Sequence, residues 1–191
     1  MASADSRPAG TTAATRNAAD RKSNAGTTPD PWEMCAKLEY GADRSFAWAV
    51  QQQVVQTPPE GRARLEERLL KSLAQPNCTE AGRAFLCRML AMVGSAKSVP
   101  PLAALLRDVR TTEAARYALE PIPGPEVDAA LRDALGALTG PAKAGLIGSI
   151  ARRRDAAARG ALVAIKDNAA EPPLVRQAAT RALECIGSTQ A

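Results

Sequence analysis

A hydrophobic helix end followed by a turn recurs along this chain at intervals of 29, 31 and 33 residues. That spacing narrows the fold more than any other feature. The anchors are Leu90, Leu119, Ile150 and Leu183. Leu90-Ala91-Met92-Val93-Gly94 aligns with Leu119-Glu120-Pro121-Ile122-Pro123 and with Leu183-Glu184-Cys185-Ile186-Gly187. Ile150 takes the same place in Gly148-Ser149-Ile150-Ala151-Arg152-Arg153. Between the anchors lie further apolar rows, Leu102/Leu105/Leu106, Leu131/Leu135/Leu138 and Leu162/Ile165. Each interval therefore holds two helices. One such unit cannot bury both of its apolar faces, whereas a stack of units can.

Local signals agree with helices throughout. Aromatic residues make up 3% of the 191-residue chain, and no stretch alternates Val, Ile, Thr and aromatics as strands prefer. Ala and Leu favour helix instead. Asp30 reads as an N-cap, with Pro31 at the first helical position and a short helix ending before Gly41. Asp43 caps the next helix, in which Phe46, Ala47, Val50 and Val54 form the buried stripe. Trp48 lies off that stripe and is expected against a neighbouring helix. Residues 61–74 follow, with Leu65, Leu69 and Leu73 in one row and Arg and Glu on the solvated face. Thr79 caps the next helix. Helices are then expected over 80–93, 99–108, 112–120, 125–138, 141–153, 156–166 and 172–186, joined by short Gly/Pro turns that make neighbours antiparallel. The stretch 84–109 looks like one hairpin, but register against later units splits it. Residues 84–93 close one pair and 99–109 open the next, so Met92 reads as packing.

Residues 1–30 carry no apolar periodicity and are expected to be a disordered tail. Arg7, Arg16 and Arg21 among Ser, Thr and Ala leave a targeting segment as the alternative. The solenoid domain is placed at 31–187, with a short tail at 188–191. No apolar run long enough for a bilayer and no secretory signal are seen, so the expected location is cytoplasmic, without membrane association. Asn77-Cys78-Thr79 then reads as a plain turn, not a glycosylation site. The four cysteines, Cys35, Cys78, Cys87 and Cys185, form no C-x-x-C motif and read as buried free thiols. Histidine is absent, which removes His-ligated zinc, His-ligated haem and His-based triads. No cofactor and no metal are expected.

The segments Ser98 to Asp108 (SVPPLAALLRD) and Pro173 to Gly187 (PLVRQAATRALECIG) resemble the two helices of a HEAT repeat. The resemblance covers 80–187, and 41–74 fits as a degenerate leading pair. It implies an all-α fold, a right-handed HEAT/armadillo-like α-solenoid of antiparallel helix pairs. It also implies a non-catalytic protein-interaction scaffold, since a minority of such proteins bind nucleic acid, assist cofactor attachment or are glycosylases. Two departures stand out. Pro121 interrupts one unit, and another ends in Arg152-Arg153-Arg154 instead of a hydrophobe and Gly.

Two sets of positions carry the candidate chemistry. Seven residues before the anchors lie Arg83, Thr112, Lys143 and Arg176. The three cations read as a structural inter-repeat ladder, near helix N-termini and paired with turn acids such as Asp108 or Asp167, as the matching Arg does in HEAT-like families. The second helix of each pair is expected, from the resemblance, to line the concave face. That places Arg88, Arg116, Tyr117, Arg152 and Arg181 in a groove suited to another protein carrying acidic groups. A merely solvated face is the competing account.

Other readings are weaker. Arg152, Arg153, Arg154, Arg159, Arg62, Arg64, Arg68 and Lys71 suit phosphates, in a chain of net charge +5. But Glu60, Glu66, Glu67 and Asp155 are interleaved, and few aromatics are present for base stacking. For an enzyme, no Gly-rich phosphate loop or activated nucleophile is found. Asp128 and Asp133 read as solvated, and Trp32 and Trp48 precede the clear repeats. The C-terminal end, through Leu162, Ile165 and Leu183, is a candidate for self-association.

Overall fold

The computed structural model describes residues 30–188. Residues 1–29, with Arg7, Arg16, Arg21 and nearly all of the expected tail, lie outside the described residues, as do 189–191. The described residues contain ten α-helices and no strand. They are α1 (Pro31–Ala36), α2 (Ser45–Gln56), α3 (Pro59–Leu73), α4 (Glu80–Val93), α5 (Val99–Leu105), α6 (Thr112–Leu119), α7 (Pro125–Ala134), α8 (Gly140–Arg153), α9 (Arg159–Asp167) and α10 (Pro173–Gly187). Short 3-10 turns precede α5 and α9 and follow α7.

The capping signals act as expected at two starts. Asp30 accepts a hydrogen bond from the Trp32 amide at 2.9 Å, and Thr79 accepts one from the Gly82 amide at 2.9 Å. Asp43 accepts from both the amide and the hydroxyl of Ser45. Elsewhere ends shift by a few residues. α3 starts at Pro59, and Thr111 and Thr112 turn the chain after Leu105 by donating to the carbonyls of Leu105, Leu106 and Asp108. Pro121 follows the end of α6 at Leu119.

Consecutive helices pack as α3 on α4, α5 on α6, α7 on α8 and α9 on α10. A second series links alternate helices, α4 to α6, α6 to α8 and α8 to α10, with α5 also on α7. The anchors hold this arrangement together: Leu90, Leu119 and Ile150 are fully buried, and Leu183 packs half-buried against the same continuous core. Each of the three fully buried aliphatic side chains contributes about 1.5–3 kcal/mol by leaving water. Leu162 is also fully buried, so it is not available to a second copy of the chain. Trp48, expected against a neighbour, is instead 64% exposed, because the α2 stripe that packs is Ala47, Val50 and Val54.

At the front, α1 docks onto the first turn of α4. The Thr79 amide donates to the Ala36 carbonyl at 2.9 Å, and its hydroxyl to that of Leu38. Gly82 makes the approach feasible, since a Cβ there would lie 2.3 Å from the Ala36 oxygen.

Polar groups fasten units that are distant in sequence. Glu66 on α3 is buried and accepts from the Ser95 amide (2.7 Å), the Ser95 hydroxyl and the Ser98 hydroxyl (2.6 Å) at the entry to α5. Arg132 on α7 pairs with buried Asp155, which caps the turn into α9. Lys143 on α8 pairs with Glu171 just before α10. Arg153, at the end of α8, pairs with Asp128 and donates to the carbonyls of Glu120, Ile122 and Gly124. Gly124, at φ 120°, gives the α6–α7 turn the shape that presents those carbonyls.

Candidate binding face

Arg88 on α4 and Tyr117 on α6 both line one cleft of about 390 Å³. Their helices meet because Leu90 and Leu119 pack in the core, which turns residues two positions earlier outward. Tyr40, Glu80, Arg83, Arg110 and Glu113 complete the polar and aromatic rim. Tyr117 is 54% exposed and Tyr40 72%. Neither Arg83 nor Arg88 donates a hydrogen bond to another described residue. The Arg88 guanidinium lies 6.0 Å from the Phe85 ring centroid, a loose cation–π contact. Arg110 is held by Asp108 at 2.9 Å. That contact keeps the Asp108 carboxyl below its ordinary range, with Arg83 a lesser contributor.

Tyr117 also lines a second cleft of about 350 Å³, with Ala91, Met92, Glu120, Pro121 and Arg152. Tyr117 is thus shared by two hollows. Arg152 is 74% exposed on its side chain and keeps one ion pair, to Glu120 at 3.3 Å. Met92, read from the sequence as packing, is 45% exposed and forms part of this cleft. Its position beside the buried anchor gave no sign of that, because exposure depends on how far α6 covers α4.

Arg116 has a different place from its neighbour Tyr117. Its side chain is 20% exposed and is engaged by Glu113 (2.9 Å), by Glu120 (3.2 Å) and by the Ser149 hydroxyl (3.3 Å). Ser149 is fully buried and donates to Glu120 at 2.6 Å. Arg116 therefore ties α6 to α8 beneath the face. Arg181, on α10, is exposed and lines neither cleft.

The cations seven residues before the anchors have three different environments. Lys143 is buried on Glu171. Arg83 is on the rim of the first cleft. Arg176 has a buried Nε without a hydrogen-bond partner. Thr112, the fourth position, donates to the Leu106 carbonyl at 2.7 Å.

Several cations considered for phosphate contact are already engaged. Besides Arg153, Arg159 donates to the Ile186 carbonyl at 3.1 Å. Arg68 lies 4.5 Å over the Trp32 ring and pairs with Asp30. Asp128, read as solvated, is the partner of Arg153, while Asp133 is exposed. Cys35, Cys78 and Cys87 are buried, but Cys185 is exposed. Burial pushes the Cys35 and Cys87 thiols up to about 12. Among the described residues no group of three or more His, Cys, Asp or Glu is gathered to hold a metal ion, and no helix is long and apolar enough to cross a membrane. Compared with models of known protein families, with curated proteins and with solved structures, the chain matches none.

Proposed function

We propose that the protein is a non-catalytic interaction module. Its helix pairs stack as a right-handed, HEAT-like α-solenoid, and the second helices of the pairs line a concave face that holds an acidic partner protein. The approximately 30-residue recurrence of buried anchors and the α4–α6–α8–α10 series support the architecture. The observation that carries the binding role is the meeting of Arg83, Arg88 and exposed Tyr117 in one cleft. Arginines that donate no hydrogen bond to another described residue, beside an exposed aromatic, combine charge, contact area and low rearrangement cost, the profile of interface anchors. Within the face, Arg88, Tyr117 and Arg152 make the contacts, and Arg116 holds the second helices in register.

The test is affinity capture with the full chain, comparing wild type with the Arg88→Glu/Arg152→Glu double variant. Both residues are exposed, so an unchanged circular-dichroism spectrum is expected. The expected result is a set of acidic proteins held by wild type and lost from the variant. An Arg62→Ala/Arg64→Ala control on α3 keeps them. A set that both variants retain overturns the reading. Capture abolished by nuclease treatment favours the nucleic-acid alternative.

A further inference from the structure

Along the series α4, α6, α8 and α10, one row of positions meets the next unit. Three residues before the anchors, Cys87, Arg116 and Ile147 are buried or half-buried, and so are Ala91, Glu120 and Ala151, one residue after them. Two contacts show what covers this row: Ser149 on α8 accepts a hydrogen bond from Arg116 and donates one to Glu120. Seven residues before the anchors, Lys143 reaches forward to Glu171, two residues ahead of α10. Arg83, its counterpart on α4, adds to the lowering of the Asp108 carboxyl, four residues ahead of α6.

On α10 the same row is open. Thr180 and Glu184 are exposed, and the anchor Leu183 is half-buried where Leu90, Leu119 and Ile150 are fully buried. Arg176 stands in the place of Lys143, yet it makes no ion pair with a described residue, and its buried Nε lacks a hydrogen-bond partner. On α9, Val163 follows buried Leu162 as Arg132 follows Leu131. Arg132 pairs with Asp155 at the entry to α9, whereas Val163 is exposed. This edge therefore has an apolar centre and a cation whose counterpart on α8 is matched by an acid just ahead of the next helix.

The other end of the series carries the matching parts. α2 packs on α4, as α4 does on α6. Its stripe of Ala47, Val50 and Val54 enters the core, while Trp48 and Val55, seven residues apart on another side of the helix, are exposed. Asp43 is exposed two residues ahead of α2, the same distance by which Glu171 precedes α10. We infer that this face of α2 binds the α9–α10 edge of a second copy of the chain, head to tail, with Trp48 and Val55 against Leu183 and Val163 and with Asp43 on Arg176. The Lys143–Glu171 pair joins the start of one helix to the entry of the next, and the Asp43–Arg176 pair repeats that arrangement between copies. A carboxylate there relieves a buried donor that is otherwise costly. α2 itself has no charged side chain, so nothing along it repels Glu184. The two surfaces differ, so each copy keeps one of them free for a further copy. None of these residues lines the clefts beside Tyr117, so this contact and the acidic-partner reading stand independently.

The experiment is sedimentation velocity of the full chain from micromolar to submillimolar concentration, with reductant present because Cys185 is exposed. The expected result is a weight-average mass that rises with concentration past that of a dimer. Tryptophan emission should shift to the blue in parallel, because Trp32 is buried and Trp48 exposed in the single chain. Asp43→Lys, Arg176→Asp and Trp48→Glu should each remain monomeric. An equal mixture of Asp43→Lys and Arg176→Asp should associate again, since every contact between unlike copies then pairs opposite charges. That rescue separates a lost contact from a misfolded variant. Arg44→Ala, which removes the cation beside Asp43, should associate at least as strongly as wild type. Arg88→Glu/Arg152→Glu should associate like wild type. A chain that stays monomeric throughout overturns the inference. So does a dimer that grows no further and is indifferent to Trp48→Glu, which favours a two-fold contact elsewhere. Absence of rescue in the mixture, or a loss with Arg44→Ala equal to that with Asp43→Lys, overturns the Asp43–Arg176 pairing on which the inference rests.

Discussion

Glu66 shows how much a single side chain can be misjudged from its neighbours in sequence. It belongs to an Arg- and Glu-rich run that reads as a solvated face, yet it is 1% exposed. Its partners, Ser95 and Ser98, lie about 30 residues away. Burial acts to raise its carboxyl, but hydrogen bonds from Ser98 and Ser95, with Lys97 nearby, outweigh it and hold the group below its ordinary value. A depressed folded-state value means that the stabilisation is complete above the unfolded value of about 4.3. It is lost as pH falls through the lower folded value. Glu66→Gln is therefore expected to cost about 1–3 kcal/mol at neutral pH. In thermal melts from pH 7 to 3, the gap between wild type and variant should narrow below about pH 4. A gap that stays constant across that range would show that the charge on Glu66 is not what matters. Arg116 and Tyr117 teach the same lesson, since adjacent residues face a buried network and an open cleft.

At the scale of the element, α8 and its C-terminal turn concentrate the question. Arg152, Arg153 and Arg154 look equivalent in the sequence, and the helix assigns each a different place. Arg152 faces the second cleft. Arg153 points back under the α6–α7 turn and satisfies three carbonyls as well as Asp128. Arg154 terminates the helix at φ 55°, the left-handed conformation usually left to glycine. Removing Arg153 leaves a half-buried carboxylate and three carbonyls without their donor. Arg153→Ala is expected to cost about 3–5 kcal/mol, read as a lower midpoint in urea. Arg152→Ala should stay within about 0.5 kcal/mol of wild type. Equal midpoints for the two variants would contradict this division. The helices themselves were legible beforehand: the starts of α1 and α4 follow from Asp30 and Thr79, and most ends agree to within a few residues. Capping and apolar rows act within one or two turns, so nearby sequence carries them.

For the whole molecule, burial sorts the thiols. Cys35, Cys78 and Cys87 sit in the core and Cys185 is exposed on α10. With Cys35 and Cys87 pushed up to about 12 by burial, almost no thiolate forms at those two positions at pH 8. A thiol reagent at pH 8 should titrate one cysteine quickly in the native protein and all four in denaturant, and Cys185→Ser should abolish the fast phase. Two or more fast thiols in the native state would mean that the helices around Cys35, Cys78 and Cys87 open readily. The same division by range explains what was readable. The all-helical character, the turn positions and the buried anchors Leu90, Leu119 and Ile150 follow from propensity and apolar period, which act between residues three or four apart. The fate of several cations depends on groups far away in sequence, such as Asp128 for Arg153 at 25 residues and Ser149 for Arg116 at 33. Those groups become neighbours only once alternate helices pack, and a charge is either consumed or presented according to which of them it meets. Helix content is therefore a local property of this chain, and the cleft beside Tyr117 is a property of its packing.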